Sequence, residues 1–426
     1  MQHLRNVCFS LVLFIMLCGP FGLWFAEHTG ITLPSWFTMD EAAYLSGGTA
    51  KADVRGNLSL SGFGSKALQE AVETAAGNHI PMKGSALIAN ATLQRSAISL
   101  SNELFGWDCY PTYYGSSYIY CPALKALGQI PSLSTASLQD YNHFCDSIES
   151  YSQNNPNQSI TIFLVDMSST SASNPAMQYV QAKATTSDVS SYMKSRLSGC
   201  QNVRIIDNSY VDPTVYYDDF FKSDHHWNAR GAFKASKLLL SRPMPSSTFE
   251  EISYRTIDGP PYSGAFARSS LCLIEDTPFD FADPFESIVF DSNGETLSGE
   301  EHPAYYEANW LNRHFQFYDL YYNFASSISN TAKPGDGNAV IICDSFGGAL
   351  LRPVATSYDR VSVTTALHAS TTTEDRLTEL CGGSSSDPDV YFIAHPANYI
   401  SFNSRNPYFS KRKMKERMQV RLPHRP

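Results

Sequence analysis

The sequence predicts an α/β fold, a three-layer sandwich built on a mainly parallel sheet. Short strand-like runs alternate with helix-like segments across the middle and the end of the chain, an order that implies parallel crossovers. With 426 residues, 43% of them hydrophobic and 17% charged, the chain has material for a full core and is too apolar to be disordered. In such sheets a ligand sits beyond the carboxyl ends of the strands, so residues that follow a predicted strand are the first candidates for function.

Residues 28 to 60 hold few patterns, Lys66 to Ala76 (KALQEAVETAA) is a helix stopped by Gly77, and residues 80 to 125 are turn-rich. Ser159 to Val165 (SITIFLV) is a buried strand. Asp188 to Leu197 sets Val189, Tyr192, Met193 and Leu197 at helical spacing and closes at Gly199. Val203 to Ile206 is the next strand, and Ala229 to Ser241 (ARGAFKASKLLLS) is a helix with Pro243 beyond its end. Ala339 to Cys343 is a strand, followed from Gly348 by a short helix limited by Pro353. Arg360 to Thr364 is a strand, Thr373 to Leu380 a helix, and Val390 to Ala394 the last strand. Between Arg242 and Asn338 lies an insertion with nine aromatic residues from Tyr305 to Phe324, expected mainly as core, with a fraction available to line a sugar-binding groove.

The ends of the chain set its compartment. Val7 to Ala26 (VCFSLVLFIMLCGPFGLWFA) is twenty residues without a charge, preceded by Arg5 and followed by Glu27. That length spans a bilayer, and the basic residue before it favours an amino terminus in the cytoplasm. Trp24-Phe25-Ala26 lacks the small-x-small pattern of a cleavage site, so a single-pass membrane anchor is expected, with the following domain outside the cytoplasm; a cleaved, secreted form is the alternative. At the other end, seven Lys or Arg from Lys411 onward against Glu416 leave the tail at +6 and the remainder at -16, out of -10 in total. A solvated tail, or one that touches an anionic glycan or lipid surface, fits this block. The acidic remainder excludes a nucleic-acid partner, which needs clustered cations.

Cysteine usage agrees with an oxidising compartment. Cys109 and Cys121 bracket the stretch YPTYYGSSYIY and are the expected disulfide among the seven cysteines outside the apolar run. Cys343, inside an apolar strand, is expected as a buried thiol. No two cysteines have the close spacing of a zinc site, and neither a structural metal nor a cofactor is expected.

Two strings carry the chemistry: Ser223-Asp224-His225-His226-Trp227-Asn228, and Cys343-Asp344-Ser345-Phe346-Gly347-Gly348 some 120 positions later. A serine hydroxyl becomes a nucleophile when an imidazole withdraws its proton, and a carboxylate holds that imidazole in one tautomer. Ser345 follows a predicted strand at a tight turn, with the backbone amides of Ser345, Phe346 and Gly347 near an oxyanion. In the first string Asp224 and His226 are two positions apart, so on a loop they converge while His225 is directed elsewhere; the spacing favours His226 over His225 as base, with His225 as base or packing residue the alternative, and Asp224 or Asn228 also serves as a helix cap and Trp227 as a core plug. His395, Asn398 and Tyr399, after the last strand, are candidates for substrate binding by position.

Asp224-His225-His226-Trp227, followed by Asn228-Ala229-Arg230-Gly231-Ala232, resembles the signature of the DHHW proteins, and Asp344-Ser345-Phe346-Gly347 resembles their second block. DHHW proteins are similar to the extracytoplasmic alginate O-acetyltransferases, whose SGNH-hydrolase-like fold places the Asp-x-His block before the Ser block. The order here is the same. The resemblance implies that Ser345 is the acyl-carrying nucleophile, His226 the base and Asp224 its orienting carboxylate. It further implies acetyl transfer from a membrane acyl-donor protein to a cell-surface or exported polysaccharide. Water in place of the sugar gives the alternative, a carbohydrate esterase on the same triad; a non-catalytic glycan-binding or assembly protein is the other. Asp-His-His also occurs in metal-dependent DHH phosphoesterases, but those motifs follow a hydrophobic strand, which Tyr217 to Lys222 is not.

The domain plan that follows is a stub and anchor at 1–27, a membrane-proximal segment with one helix at 28–98, a domain at 99–405 with the insertion at 242–338, and a basic tail at 406–426.

Overall fold

The computed structural model describes residues 53–78, 83–130, 137–166, 174–176, 186–208, 211–240, 254–256, 262–277, 279–281, 288–292, 295–297, 327–335, 337–365 and 387–401, with single positions between 6 and 31 and between 377 and 381. They divide into two compact units, Met1–Leu127 with Ser263–Ile274, and Gly128–Tyr262 with Glu275–Pro426. The basic tail, the aromatic run from Tyr305 to Phe324, most of Val7–Ala26 and most of the expected helix at 373–380 lie outside the described residues. Among the described residues no helix is long and apolar enough to cross a membrane.

Among its described residues the first unit includes helices α1 (Leu60–Gly64), α2 (Ala67–Asn78) and α3 (Lys83–Phe105), then strands β1 (Tyr110–Pro111) and β2 (Tyr118–Cys121), with β3 (Ala126–Gln129) next to β2 in the same small sheet. Helix α3 corrects the expectation of turns at 80–125 and runs through the expected boundary at residue 98. Its Ser and Asn residues favour turns and caps when read locally. Gly84, Ala91 and Ile98, one every seven residues, bury a stripe that outweighs that preference. Ser96 and Ser101 turn their hydroxyls back to the carbonyls of Thr92 and Ala97, at 2.9 and 3.0 Å. Cys109 and Cys121 form the expected disulfide.

In the second unit α4 (Asn142–Asn154), β4 (Ile160–Leu164), α5 (Thr186–Arg196), β5 (Val203–Asp207), α6 (Tyr216–Asp219) and α7 (Ala229–Leu239) follow in order. After β6 (Tyr254–Thr256) the chain passes to α8 (Ala265–Ser270) in the first unit and returns as β7 (Phe279–Phe281), β8 (Ile288–Ser292), β9 (Glu295–Leu297) and β10 (Ser327–Asn330). The last stretch is β11 (Asn338–Cys343), α9 (Ser345–Gly348), α10 (Leu351–Ala355), β12 (Arg360–Thr365), β13 (Asp389–Ala394) and α11 (Pro396–Ser401). Pro353 falls in the first turn of α10, where no helical bond needs its missing N–H, so it sits inside that helix rather than limiting α9.

One sheet of eight strands runs β5-β4-β13-β11-β12-β10-β8-β9. The pairs from β5 to β12 are parallel, and those from β12 to β9 antiparallel. The sheet is therefore mixed rather than mainly parallel, because the insertion contributes β8, β9 and β10 to its edge. Strand alternation splits the core between two faces. Phe163, Ile341, Cys343, Tyr391 and Ile393 pack with Trp227 and with Ala232 and Leu239 of α7. Ile160, Ile162, Val340, Ile342 and Phe392 pack on the other face with Phe144 of α4 and Met193 of α5. Each such side chain contributes roughly 1.5–3 kcal/mol when fully buried. Strands buried on both faces read as unbroken apolar runs, which is why β4, β11 and β13 are legible in the sequence. The adjacent carboxyl ends of β11 and β13 carry Ser345 and His395.

Candidate active site

The Asp-His string is the tip of a tight hairpin. Phe220 and Trp227 form an antiparallel bridge, and the Phe221 amide donates to the His226 carbonyl at 3.2 Å. Trp227 is fully buried, as a core plug should be, with its ring 5.8 Å from that of Phe163 and 5.6 Å from that of Phe346. Asn228 then caps α7: its Oδ1 accepts from the amides of Arg230 and Gly231 at 3.0 and 3.2 Å, and its Nδ2 donates to the Asp218 carbonyl. Gly231 lets the start of α7 approach closely, since a Cβ there would strike the Asp219 carbonyl oxygen. Capping is thus done by Asn228, which leaves Asp224 for the histidine.

Asp224, His226 and Ser345 meet in one hydrogen-bonded chain. Asp224 Oδ1 lies 2.8 Å from His226 Nδ1 and accepts from the His226 amide at 3.0 Å. His226 Nε2 lies 2.8 Å from Ser345 Oγ. A carboxylate only accepts, so Nδ1 carries the proton and Nε2 turns its lone pair to the serine hydroxyl. Asp224 is 1% and His226 8% exposed, so the contact between carboxylate and imidazole is shielded from water. An imidazole so placed can take the hydroxyl proton while the carboxylate stabilises the imidazolium. His225 is not directed elsewhere as expected: it is half-buried, lies tilted against His226 with centroids 3.9 Å apart, and brings its Nδ1 within 3.2 Å of the same Asp224 oxygen. Asp224, His225 and His226 thus offer ligand atoms within 4.8 Å of one another, but His226 reaches Asp224 with one nitrogen and Ser345 with the other.

Asp344 organises the serine turn. Its Oδ1 accepts from the Phe346 amide at 3.0 Å, its Oδ2 from the His395 amide and the Asn398 side chain, both at 2.7 Å. Burial pushes its carboxyl above the usual range, against the pull of those donors and of nearby His226. This accounting corrects the oxyanion expectation. The Phe346 amide is spent on the Asp344 side chain and the Gly347 amide on its carbonyl, at 3.0 Å each. The Ser345 amide has no acceptor among the described residues. Gly347 is required here, since a Cβ would strike the side chain of Cys343.

The three candidates after β13 separate. Tyr399 is a core residue and not a substrate contact: it is fully buried and its hydroxyl donates to the Phe163 carbonyl at 2.8 Å. Asn398 holds Asp344. His395 accepts from the Ala397 amide at Nδ1, its buried Nε2 has no partner among the described residues, and burial holds the ring at about 4. Cys343 is buried as expected, and burial pushes its thiol well up.

Sequence reasoning missed two residues. Tyr262, 2% exposed, donates its hydroxyl to Asp224 Oδ2 at 2.7 Å. Asp276 accepts from the amides of Lys222 and Ser223, at 3.1 and 2.8 Å, and from the Ser223 hydroxyl at 2.5 Å. No local pattern marks either one.

No protein-family model matches the chain, and no curated protein matches it. Similar solved structures include PatB1 of Bacillus cereus, 16% identical over 65% of this chain and 95% of that one, with a TM-score of 0.47. A DHHW family protein from Eubacterium siraeum is 13% identical over 69% of this chain and 94% of its own, at 0.45. The O-acetyltransferase domain of Pseudomonas putida AlgJ is 13% identical over 68% and 93%, at 0.34.

Proposed function

We propose that this chain is an extracytoplasmic O-acetyltransferase that works through a Ser345 acyl-enzyme, with His226 as general base and Asp224 as its orienting carboxylate. The observation that carries this reading is the unbroken path from Asp224 Oδ1 through both nitrogens of His226 to Ser345 Oγ, with 2.8 Å at each step. Ser345 Oγ attacks the donor's acyl carbon as its proton passes to Nε2, and the leaving group departs with that proton. A polysaccharide hydroxyl then loses its proton to Nε2 and attacks the acyl-enzyme, and Ser345 Oγ takes the proton back. The amide of Ser345 is the donor left for the acyl oxygen, and removal of such a donor typically costs about 3 kcal/mol of barrier stabilisation. The charge-free run Val7–Ala26 supports an anchor that keeps the enzyme beside a membrane acyl-donor protein.

The test supplies purified protein with an activated acetyl ester and a polysaccharide acceptor and follows acetyl on the glycan by mass spectrometry. Transfer is expected, and Ser345→Ala should reduce it to background. Acetate released with no acetylated glycan would favour the esterase. A folded protein whose Ser345 does not react with a fluorophosphonate probe would favour a non-catalytic role.

A further inference from the structure

Tyr262 and Asp276 are joined to each other before they reach the active-site loop. The Tyr262 amide donates to the Asp276 carbonyl at 3.0 Å, and the Asp276 amide to the Tyr262 carbonyl at 2.8 Å. Between these paired residues the chain departs as Ser263–Ile274, which folds with the first unit, where Phe266, Ala267 and Cys272 pack with Leu127. The bridge is therefore the closed neck of an excursion. Both of its side chains point at one target, the segment 222–224.

We infer that Tyr262 and Asp276 are positioning residues for the triad, Tyr262 fixing the rotation of the Asp224 carboxylate and Asp276 fixing the backbone that presents it. The inference rests on the acyl-transfer reading of Ser345. A hairpin tip has amides that its own strands do not satisfy, and buried amides without acceptors are costly. The Asp276 carboxylate takes the amides of Lys222 and Ser223 together with the Ser223 hydroxyl, so three bonds fix the turn just ahead of Asp224. The Asp224 side chain could still rotate about its own bonds. The His226 amide holds Oδ1 and the Tyr262 hydroxyl holds Oδ2, so both oxygens are tied and Oδ1 stays aimed at His226 Nδ1. The Tyr262 ring is fixed in turn against Phe221, with centroids 4.9 Å apart. Since the two residues share a backbone bridge, they move as one brace.

Tyr262→Phe deletes the hydroxyl and keeps the ring. With an activated acetyl ester, kcat should fall about tenfold while KM stays within about twofold, because substrate contacts are untouched. Asp276→Asn, which keeps the size but replaces an accepting oxygen with a donor, should also lower kcat. Tyr358→Phe is the matched control: it too removes a buried tyrosine bond to a carboxylate, at Asp389 Oδ2, and should lower stability while leaving kcat unchanged. A second readout does not need turnover. The Nδ1 proton of His226 has its own downfield NMR resonance, which should move in Tyr262→Phe and stay in Tyr358→Phe. A Tyr262→Phe protein with wild-type kcat and an unmoved resonance overturns the inference. If the wild type transfers no acyl group at all, it is the acyl-transfer reading that fails, and the resonance alone decides the brace.

Discussion

Replacing Asp224 with asparagine separates charge from geometry at this site. The carboxylate meets the His226 amide and Nδ1 on Oδ1, at 3.0 and 2.8 Å, with His225 Nδ1 also 3.2 Å from that oxygen, and the Tyr262 hydroxyl on Oδ2 at 2.7 Å. An asparagine turned with its NH2 towards His226 would meet a backbone N–H, donor against donor. Turned the other way it meets the Tyr262 hydroxyl, which rotates and accepts. The variant therefore keeps its carbonyl on Nδ1 and preserves the tautomer, and what it loses is the negative charge opposite the imidazolium. Two unit charges about 4 Å apart at an effective dielectric near 20 interact by about 4 kcal/mol, or about 10³ in rate. The assay is the kcat of acetyl release from an activated ester for wild type, Asp224→Asn and Asp224→Ala, each checked for folding by circular dichroism. Asp224→Ala should be slower still, because it also frees the ring. An Asp224→Asn enzyme within tenfold of wild type would refute the reasoning, since no imidazolium would then depend on Asp224.

Gly347→Ala drives a methyl into Cys343 on the central strand and should cost about 1–3 kcal/mol by thermal unfolding, with slower fluorophosphonate labelling of the displaced Ser345. Asp344→Asn turns an NH2 towards the donors of His395 and Asn398, and denaturant titration should show a loss of about 2–3 kcal/mol. His395 gives a pH signature: its ring is held at about 4 against the usual 6.5, so as pH falls through that window the unfolded chain binds the proton first. The stability it contributes is complete above 6.5 and lost by about 4, at most about 3 kcal/mol, so urea midpoints at pH 7 and pH 4.5 should differ more in wild type than in His395→Asn. Asp344 and Asp276 act with the opposite sign, since burial raises both carboxyls and stability falls as pH rises from 3.8 to their folded values; the His395→Asn comparison cancels their share.

The legible parts of the molecule were those whose signal is local and whose reward is burial. Strands β4, β11 and β13 are apolar on both faces and read directly, and the cap of α7 reads as Asp224 or Asn228, between which only the structure decides for Asn228. Helix α3 was lost because its serines and asparagines favour turns locally, while the stripe that stabilises it is one residue in seven. Strands β8 and β10 were lost for a related reason: they are short, and polar residues such as Asp291 and Ser327 sit in their pairing register. At the site, the spacing of Asp224 and His226 was readable, but their brace was not. Tyr262 lies 38 positions and Asp276 53 positions from the groups they hold, and only the backbone bridge makes them a pair. The use of the Phe346 amide is legible in the sequence, since an aspartate directly before a helix accepts from its first turn in preference to leaving those donors for a ligand.

The site explains why the Asp-His string can precede the serine in the chain. The serine must sit at the carboxyl end of a central strand, because that is where a buried strand opens into a turn. The histidine has no such tie; it needs a helix entrance on the same face of the sheet. Helix α7 provides it, since Ala232 and Leu239 pack in the core that also contains Cys343 and Phe346. The joint is aromatic: Trp227 contacts Phe163 of β4 and Phe346 beside the serine, and the Phe346 ring in turn lies 4.6 Å from that of His226. These contacts hold the imidazole by packing as well as by its hydrogen bonds, and packing is indifferent to which segment is synthesised first. A hydrogen-bonded Asp-His-Ser chain assembled in this way depends on the face that α7 covers and on the strand that ends beneath it, so the sequence order of its members is free to vary while the geometry at Ser345 stays the same.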